Sequence, residues 1–96
     1  SQAAGQGDID SYVSMGIMYL EGKGVKQNYA KALDLFRYAA DRDDAQGQTM
    51  LGRMYAEGLG VPQNFRMAIE LFRKAAETPG IRGDGARNNL KALGIN

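Results

Sequence analysis

The chain repeats itself at an offset of 36 residues. Residues 11–40 and 47–76 are identical at 15 of 30 aligned positions, whereas unrelated segments would share about two at ordinary residue frequencies. The match is densest between residues 16–25 and 52–61. A period of this size is typical of stacked helical arrays, whose units bury one another's apolar faces. Such arrays generally bind partners, so the repeat predicts an interaction domain.

The apolar residues recur at helical spacing within each repeat. Ala32, Leu35, Phe36 and Ala39 follow the i, i+3, i+4, i+7 pattern of one helix face, and the pattern returns 36 residues later. An upstream stripe of tyrosine, methionine and leucine has the same spacing. The sequence therefore predicts an all-α chain with helices near 8–21, 28–42, 45–57 and 64–77.

Glycine and asparagine mark the ends of these helices. Gly22 and Gly58 follow the first helix of each repeat, where a left-handed residue is least costly if it is glycine. Asn28 and Asn64 precede the second helix, and an asparagine there can accept a hydrogen bond from a backbone N–H. Each repeat is predicted to be a helix, a short turn and an antiparallel helix.

Gly16 and Gly52 lie inside the predicted first helices. A glycine in a helix interior costs about 1 kcal/mol relative to alanine. Its recurrence therefore predicts that a neighbouring helix passes too close for a Cβ atom.

Both ends of the chain depart from a simple pair of repeats. Ala3-Ala4 and Asp8 match Ala39-Ala40 and Asp44 at the 36-residue offset, which predicts that the chain starts in the tail of an earlier unit. Residues 77–85 break the period with a few extra residues, after which a further helix places Leu90 where Leu51 was. The whole chain is predicted to form one domain, 1–96, with repeat one at about 8–43, repeat two at about 44–79 and a capping helix at about 84–94.

The composition gives little support to catalysis, to metal binding or to a charged partner. The 12 basic and 11 acidic residues leave a net charge of +1, which predicts neither nucleic-acid binding nor an anionic membrane surface. The apolar runs are too short to insert into a membrane. Without histidine and cysteine, the commonest general base, thiol nucleophile and zinc ligands are missing. The acidic turn at Asp41, Asp43 and Asp44 is interpreted as a solvated helix end with Asp44 as an N-cap. We expect no enzyme, cofactor or metal.

The repeated motif resembles the Sel1-like repeat. The residues that carry the resemblance are Met15-Gly16, Tyr19, Gly22-Lys23-Gly24-Val25, Tyr29, Lys31-Ala32 and Ala39-Ala40, and then Leu51-Gly52, Tyr55, Gly58-Leu59-Gly60-Val61, Phe65, Ala68 and Ala75-Ala76. The resemblance implies a right-handed α-solenoid of antiparallel helix pairs, similar to tetratricopeptide repeats, that scaffolds or docks other proteins. It also implies a bacterial source, with the cell envelope or periplasm slightly favoured over the cytoplasm.

The differences between the two repeats predict where a partner binds. Positions that agree are explained by packing, while several that differ lie on one face of the first helices. In related superhelices the first helix of each pair lines the concave surface. We therefore expect a peptide or a helix of another protein to bind there, with Arg53 as a bidentate carboxylate contact. The predicted residues are Val13, Ile17, Leu20, Thr49, Met50, Arg53 and Ala56, with Arg87 at the edge.

Four alternatives remain open. Val13, Ile17 and Leu20 could instead be core residues that pack against a preceding unit. The exposed face of the first helix could also drive weak self-association. Tyr12, Tyr19, Tyr29 and Tyr55 could form a stacking platform, although an aromatic core is the expected reading. A cell-envelope glycan-binding or cell-wall hydrolase-associated module is the alternative function. Tyr38 and Lys74 are expected to lie on the solvated convex face.

Overall fold

Five α-helices make up the chain in the computed structural model, which describes residues 2–95. Within that range all regular structure is helical. The helices are α1 (Gln2–Glu21), α2 (Tyr29–Ala40), α3 (Ala45–Glu57), α4 (Phe65–Ala76) and α5 (Ile81–Ala92). We call α1 with α2 unit one and α3 with α4 unit two. Each helix packs on its neighbours in the chain, and α5 also packs against α3.

The first helix of the array starts earlier than the sequence predicted. The backbone of α1 is helical from Gln2, six residues before the expected start. Residues 2–21 contain no proline, so nothing in the segment obliges the helix to stop. The tail of an earlier unit expected at Ala3-Ala4 is therefore, in its backbone, part of one continuous helix.

The predicted N-caps of the second helices are confirmed. The Asn28 side chain accepts a hydrogen bond from the Lys31 N–H at 3.1 Å, and the Asn64 side chain accepts one from the Met67 N–H at 3.0 Å. Asp44 caps α3 in the same way, because its Oδ2 accepts from the Gly47 N–H at 2.9 Å. Each cap satisfies a backbone donor that the helix leaves without a partner.

The first helices end as predicted, with an additional cap that the sequence analysis missed. Gly22 and Gly58 have φ values of 70° and 68° and so adopt the left-handed conformation. The Gln27 Nε2 donates to the Leu20 carbonyl at 2.8 Å, and the Gln63 Nε2 donates to the Ala56 carbonyl at the same distance. The recurring glutamine thus satisfies a carbonyl at the end of the preceding helix.

The core of each unit is built around a glycine that faces a phenylalanine ring. A Cβ atom on Gly16 would lie 2.5 Å from Phe36 Cε1, and one on Gly52 would lie 2.7 Å from Phe72 Cε1. Both rings are buried, with exposed fractions of 0% and 2%. The predicted close approach is therefore confirmed, and its cause is the aromatic ring of the paired helix.

The 36-residue period continues into α5, contrary to the extra residues that the sequence analysis placed at 77–85. α4 and α5 begin 36 residues after α2 and α3, respectively. Gly83 packs against the Ala75 carbonyl as Gly47 packs against Ala39, and Gly94 is left-handed (φ 80°) like Gly58. Leu90 therefore corresponds to Met54 and not to Leu51. The error arose because leucine was aligned with leucine, although glycine is the residue that fixes the register here.

Candidate functional site

The first helices α1, α3 and α5 together line a surface groove of about 390 Å³. Their side chains reach it from positions related by the 36-residue period, so each helix presents the same face. The lining residues are Val13, Ser14 and Ile17 from α1, Gln46, Thr49 and Met50 from α3, and Arg82 and Gly85 from α5. The structure therefore brings together four of the predicted residues: Val13, Ile17, Thr49 and Met50.

The lining of this groove mixes apolar side chains with polar ones. Val13 is 4% exposed, whereas Ile17 and Met50 are half-buried and pack against the larger core cluster. The Thr49 hydroxyl donates to the Ala45 carbonyl at 2.8 Å, so its hydrogen is already used within the helix. A partner's aliphatic side chain can therefore contact Ile17 and Met50 while the Thr49 hydroxyl keeps its acceptor.

A charged residue connects the two outer helices at one end of the groove. The Arg82 Nη1 lies 3.4 Å from the Asp10 Oδ1 and 3.7 Å from the Asp44 Oδ1. Asp44 is held in place because its other oxygen caps α3. Arg82 and Asp10 are both more than two-fifths exposed, so the pair is accessible to a competing charged group.

Arg53 and Ala56, two further predicted residues, line a second depression of about 250 Å³ beside the groove. The Arg53 Nε donates to the Glu57 Oε2 at 2.9 Å, and both side chains are about half exposed. The other residues that line this second depression are Glu57, Phe65, Phe72, Asn89, Ala92 and Leu93. Arg53 therefore offers an anchored guanidinium at the surface.

Several lining residues of the two depressions were missed by the sequence analysis. Gly85, Asn89 and Ala92 lie 36 residues after Thr49, Arg53 and Ala56, and Arg82 lies 36 after Gln46. The unbroken period through Gly94 was the signal that could have found them. Aligning α5 by its leucine instead shifted its register by three residues.

The two remaining predicted residues lie away from the groove. Leu20 is 5% exposed and belongs to the larger core cluster, so its side chain packs in the core and does not reach the groove surface. Arg87 lines a cleft between α4 and α5, with Arg73, Ala76, Leu90 and Ile95 among its neighbours. Its guanidinium donates to the carbonyls of Ala76, Thr78 and Gly80 and pairs with Asp84 at 2.6 Å. That guanidinium thus holds the turn before α5 together.

The packing does not match the alternative in which Val13, Ile17 and Leu20 are core residues that lack the preceding unit they would pack against. Val13 and Leu20 are buried within this chain, and Ile17 packs against the same cluster. Among the side chains of α1 that the structure describes, residues 8–21, the exposed large apolar ones are Met15 and Met18, at 45% and 40%. These two exposed methionines lie on a different face of α1 from Val13, Ile17 and Leu20.

The other residue clusters singled out in the sequence have structural partners. Tyr12 stacks on Tyr38 with ring centroids 4.0 Å apart, and the Arg42 guanidinium lies 3.5 Å from the centre of the Tyr38 ring. Tyr38 is thus half-buried, where the sequence analysis placed it on a solvated face. Tyr19 and Tyr55 contact Lys31 and Arg37 in separate places.

The acidic turn serves the fold. Asp43 has a left-handed φ of 61° and pairs with Lys74 at 3.5 Å, while Asp44 is the buried N-cap. Among the described residues, no group of three or more acidic side chains is arranged to hold a metal ion. In that same part of the chain no helix is long and apolar enough to cross a membrane.

Comparison with known proteins agrees with this architecture. The family model for the Sel1 repeat matches residues 9–44 and 45–77. A Sel1 repeat protein from Oxalobacter formigenes is 38% identical, with a TM-score of 0.77, over 88% of this chain and 24% of its own. The c5321 protective antigen of uropathogenic Escherichia coli, which displays an SLR fold, is 34% identical with the same TM-score over 97% of this chain. The chain spans about a quarter and a fifth of the length of these two proteins. With two repeats matched over most of its length, the chain belongs to the Sel1 repeat family.

Proposed function

We propose that this chain is a protein-interaction adaptor that binds a peptide or a helix of a partner on the concave surface of α1, α3 and α5. Sel1 repeats mediate protein interactions. The more specific part of the proposal is that the partner binds this surface. Its residues are Val13, Ile17, Thr49, Met50, Arg53 and Ala56, joined by Arg82, Gly85 and Asn89. Leu20 supports the surface from the core, and Arg87 fixes the turn that positions α5.

The observation that carries the proposal is the distribution of differences between the units. The caps, the left-handed glycines and the glycine–phenylalanine contacts are the same in both. The groove positions differ: Val13 becomes Thr49, Ser14 becomes Met50 and Ile17 becomes Arg53. Three of the positions at which the units differ thus lie together on the groove surface of the first helices. Such a surface suits recognition of a specific partner.

The chemistry of the groove favours an amphipathic segment. Ile17 and Met50 offer apolar contacts to a partner side chain. An arginine paired with a carboxylate lies in each depression, Arg82 with Asp10 in the groove and Arg53 with Glu57 in the second depression. A partner carboxylate can replace the internal one at little net cost, because exposed ion pairs contribute about 0–1 kcal/mol. Arginine then offers the partner bidentate geometry.

The first test is capture of a partner from native lysate by the domain, compared with Arg53→Glu. Arg66→Glu is the matched control, since it makes the same charge change on the exposed first turn of α4, away from the groove. After the captured protein is purified, titration calorimetry should show binding weakened roughly tenfold or more by Arg53→Glu, about 1.4 kcal/mol. Circular dichroism must show equal helicity. Equal binding by Arg53→Glu and the native domain would place the site elsewhere.

A second pair of variants tests the groove without changing charge. A Cβ on Gly85 would lie at an ordinary contact distance, 3.7 Å from the Thr49 Cγ2, so Gly85→Ala should preserve binding. Gly85→Phe should block it, because the ring would project into the groove that Gly85 lines. If Gly85→Phe binds as well as Gly85→Ala, the partner does not use this groove.

A further inference from the structure

In unit one, aromatic rings fill a space between the two helices near the turn that follows α2. The Tyr12 ring of α1 stacks on the Tyr38 ring of α2, with ring centroids 4.0 Å apart. The Arg42 guanidinium lies 3.5 Å from the centre of the Tyr38 ring. Three planar groups of the chain itself therefore occupy this place in unit one.

Unit two has neither an aromatic ring nor a guanidinium at the three corresponding positions. The residues found there, 36 positions later, are Gln48, Lys74 and Thr78. Together with Asp43, Glu77 and Pro79 they line an open space of about 450 Å³, which we call the turn hollow. Sites for small ligands have volumes of about 300–1,000 Å³. The space that unit one fills with its own rings is therefore open in unit two and large enough for a ligand.

Gln48 places a polar group without a partner in the wall of the turn hollow. The residue is only 2% exposed, and its backbone N–H donates to the Asp44 carbonyl within α3. Among the described residues, no group donates a hydrogen bond to its side-chain amide or accepts one from it. The amide atoms are not sealed from solvent, and the opening that Gln48 lines is the turn hollow. Because buried polar side chains ordinarily have a partner, this amide indicates a ligand with hydrogen-bonding groups.

The charges around the turn hollow favour a neutral ligand. The Lys74 Nζ pairs with the Asp43 Oδ1 at 3.5 Å, and Glu77 adds a second carboxylate to the lining. Two acidic side chains against one basic side chain disfavour a phosphate or a carboxylate ligand. The Lys74 side chain is 62% exposed, so its ammonium can move over the face of an aromatic ring.

We propose that the turn hollow binds a tyrosine side chain of a partner protein. The partner's ring takes the place that tyrosine rings take in unit one, with the Lys74 ammonium over its face. The phenol hydroxyl both donates and accepts, so it pairs with the Gln48 amide. A phenylalanine ring would leave that amide without a partner, and an aliphatic side chain would also lack the contact with the ammonium.

This site is separate from the concave groove. The turn hollow and the groove share no lining residue. A partner that binds the groove can therefore place a tyrosine in the turn hollow as a second contact, and the failure of either site leaves the other intact.

The experiment is an NMR titration of the nitrogen-labelled full chain with N-acetyltyrosinamide. The side-chain amide signals of Gln48 and the backbone amide signal of Thr78 should shift and saturate. N-acetylphenylalaninamide should bind roughly tenfold more weakly, because it leaves the Gln48 amide unpaired. N-acetylleucinamide should give no saturable shift.

Three outcomes of this titration would overturn the proposal. The first is the absence of a saturable shift with the tyrosine probe, which would show that the turn hollow holds only water. The second is equal affinity for the tyrosine and leucine probes, which would show that no ring is recognised. The third is tighter binding of the phosphotyrosine derivative than of the tyrosine probe, which would make the site an anion site.

Gln48→Leu tests the hydrogen bond by removing the amide while keeping a side chain of similar length. It should weaken binding of the tyrosine probe roughly tenfold and leave binding of the phenylalanine probe unchanged. Equal weakening of both probes would contradict the pairing of the phenol with Gln48.

A triple variant tests the place of the ring by transferring the residues of unit one to unit two. Gln48→Tyr with Lys74→Tyr and Thr78→Arg should lose the tyrosine probe, because the chain's own rings then occupy the turn hollow. Arg66→Tyr is the matched control: it also replaces a basic side chain of α4 by a ring, but on the exposed first turn of the helix, and it should retain binding. Circular dichroism must show equal helicity. Binding that persists in the helical triple variant would show that the probe does not use the turn hollow.

Discussion

Units one and two share a framework and differ in the side chains that they present to the groove. Both end their first helix at a left-handed glycine, cap their second helix with asparagine and seat a phenylalanine ring on a glycine. On the first helices Val13 and Ile17 of unit one correspond to Thr49 and Arg53 of unit two. The comparison teaches that the repeat fixes the backbone and the glycine–phenylalanine contacts, while the side chains along the groove differ between the units.

The largest expected effect tests whether the two cores are equivalent. Phe36→Ala and Phe72→Ala should each destabilise the domain by about 3–5 kcal/mol, because each removes a buried ring and leaves a cavity against a helix. Chemical denaturation followed by circular dichroism measures the loss. Phe65→Ala is the control: Phe65 is 49% exposed, so its loss should be much smaller. A mild effect at Phe36 with a large one at Phe72 would show that the cores are not equivalent.

A medium effect is expected where the first helices end. Gly22→Ala and Gly58→Ala should each cost about 1–2 kcal/mol, since alanine is disfavoured in the left-handed conformation that both glycines adopt. Thermal unfolding of the two variants gives the comparison between units. Gly85→Ala, a helical glycine with space for a Cβ, should not lower the melting point. Unchanged melting points for the first two variants would contradict the left-handed assignment.

The smallest effect is expected at the N-caps. Asn28→Ala and Asn64→Ala should each cost about 1 kcal/mol, because each removes the acceptor for a backbone N–H at the start of a second helix. Asn28→Asp and Asn64→Asp keep that acceptor and should retain stability. The denaturant midpoints measure the loss of stability. A loss in only one of the two alanine variants would show that the other unit has a substitute cap.

The parts of the fold that sequence predicted well depend on local rules. Gly22 and Asn28 could be interpreted because helix ends require particular residues within a few positions. Gly16 could be interpreted because a costly residue that recurs needs a packing reason, and the Phe36 ring supplies it. The groove face of α1 and α3 followed from helical spacing once the period was known.

The parts that sequence missed depend on contacts between distant residues or on a choice of alignment. Arg82 meets Asp10 across 72 residues, twice the 36-residue period, so the two are related only when the period is continued into α5. The stack of Tyr12 on Tyr38 joins two helices whose rotation about their axes the sequence does not specify. The predicted alignment of α5 with α3 was wrong because it matched Leu90 to Leu51. Gly83 and Gly94 give the correct alignment, since they have the same packing and backbone conformation as Gly47 and Gly58.

The ion pair between Arg82 and Asp10 has a consequence for how the array opens. In a stack whose units contact only their neighbours, the two ends fray independently. Arg82 joins α5, the last helix of the array, to α1, the first helix. The detachment of α5 therefore also removes a contact of α1. The pair is exposed and therefore weakens as ionic strength rises. Low salt thus ties the two ends of the molecule together, and high salt lets each end open on its own.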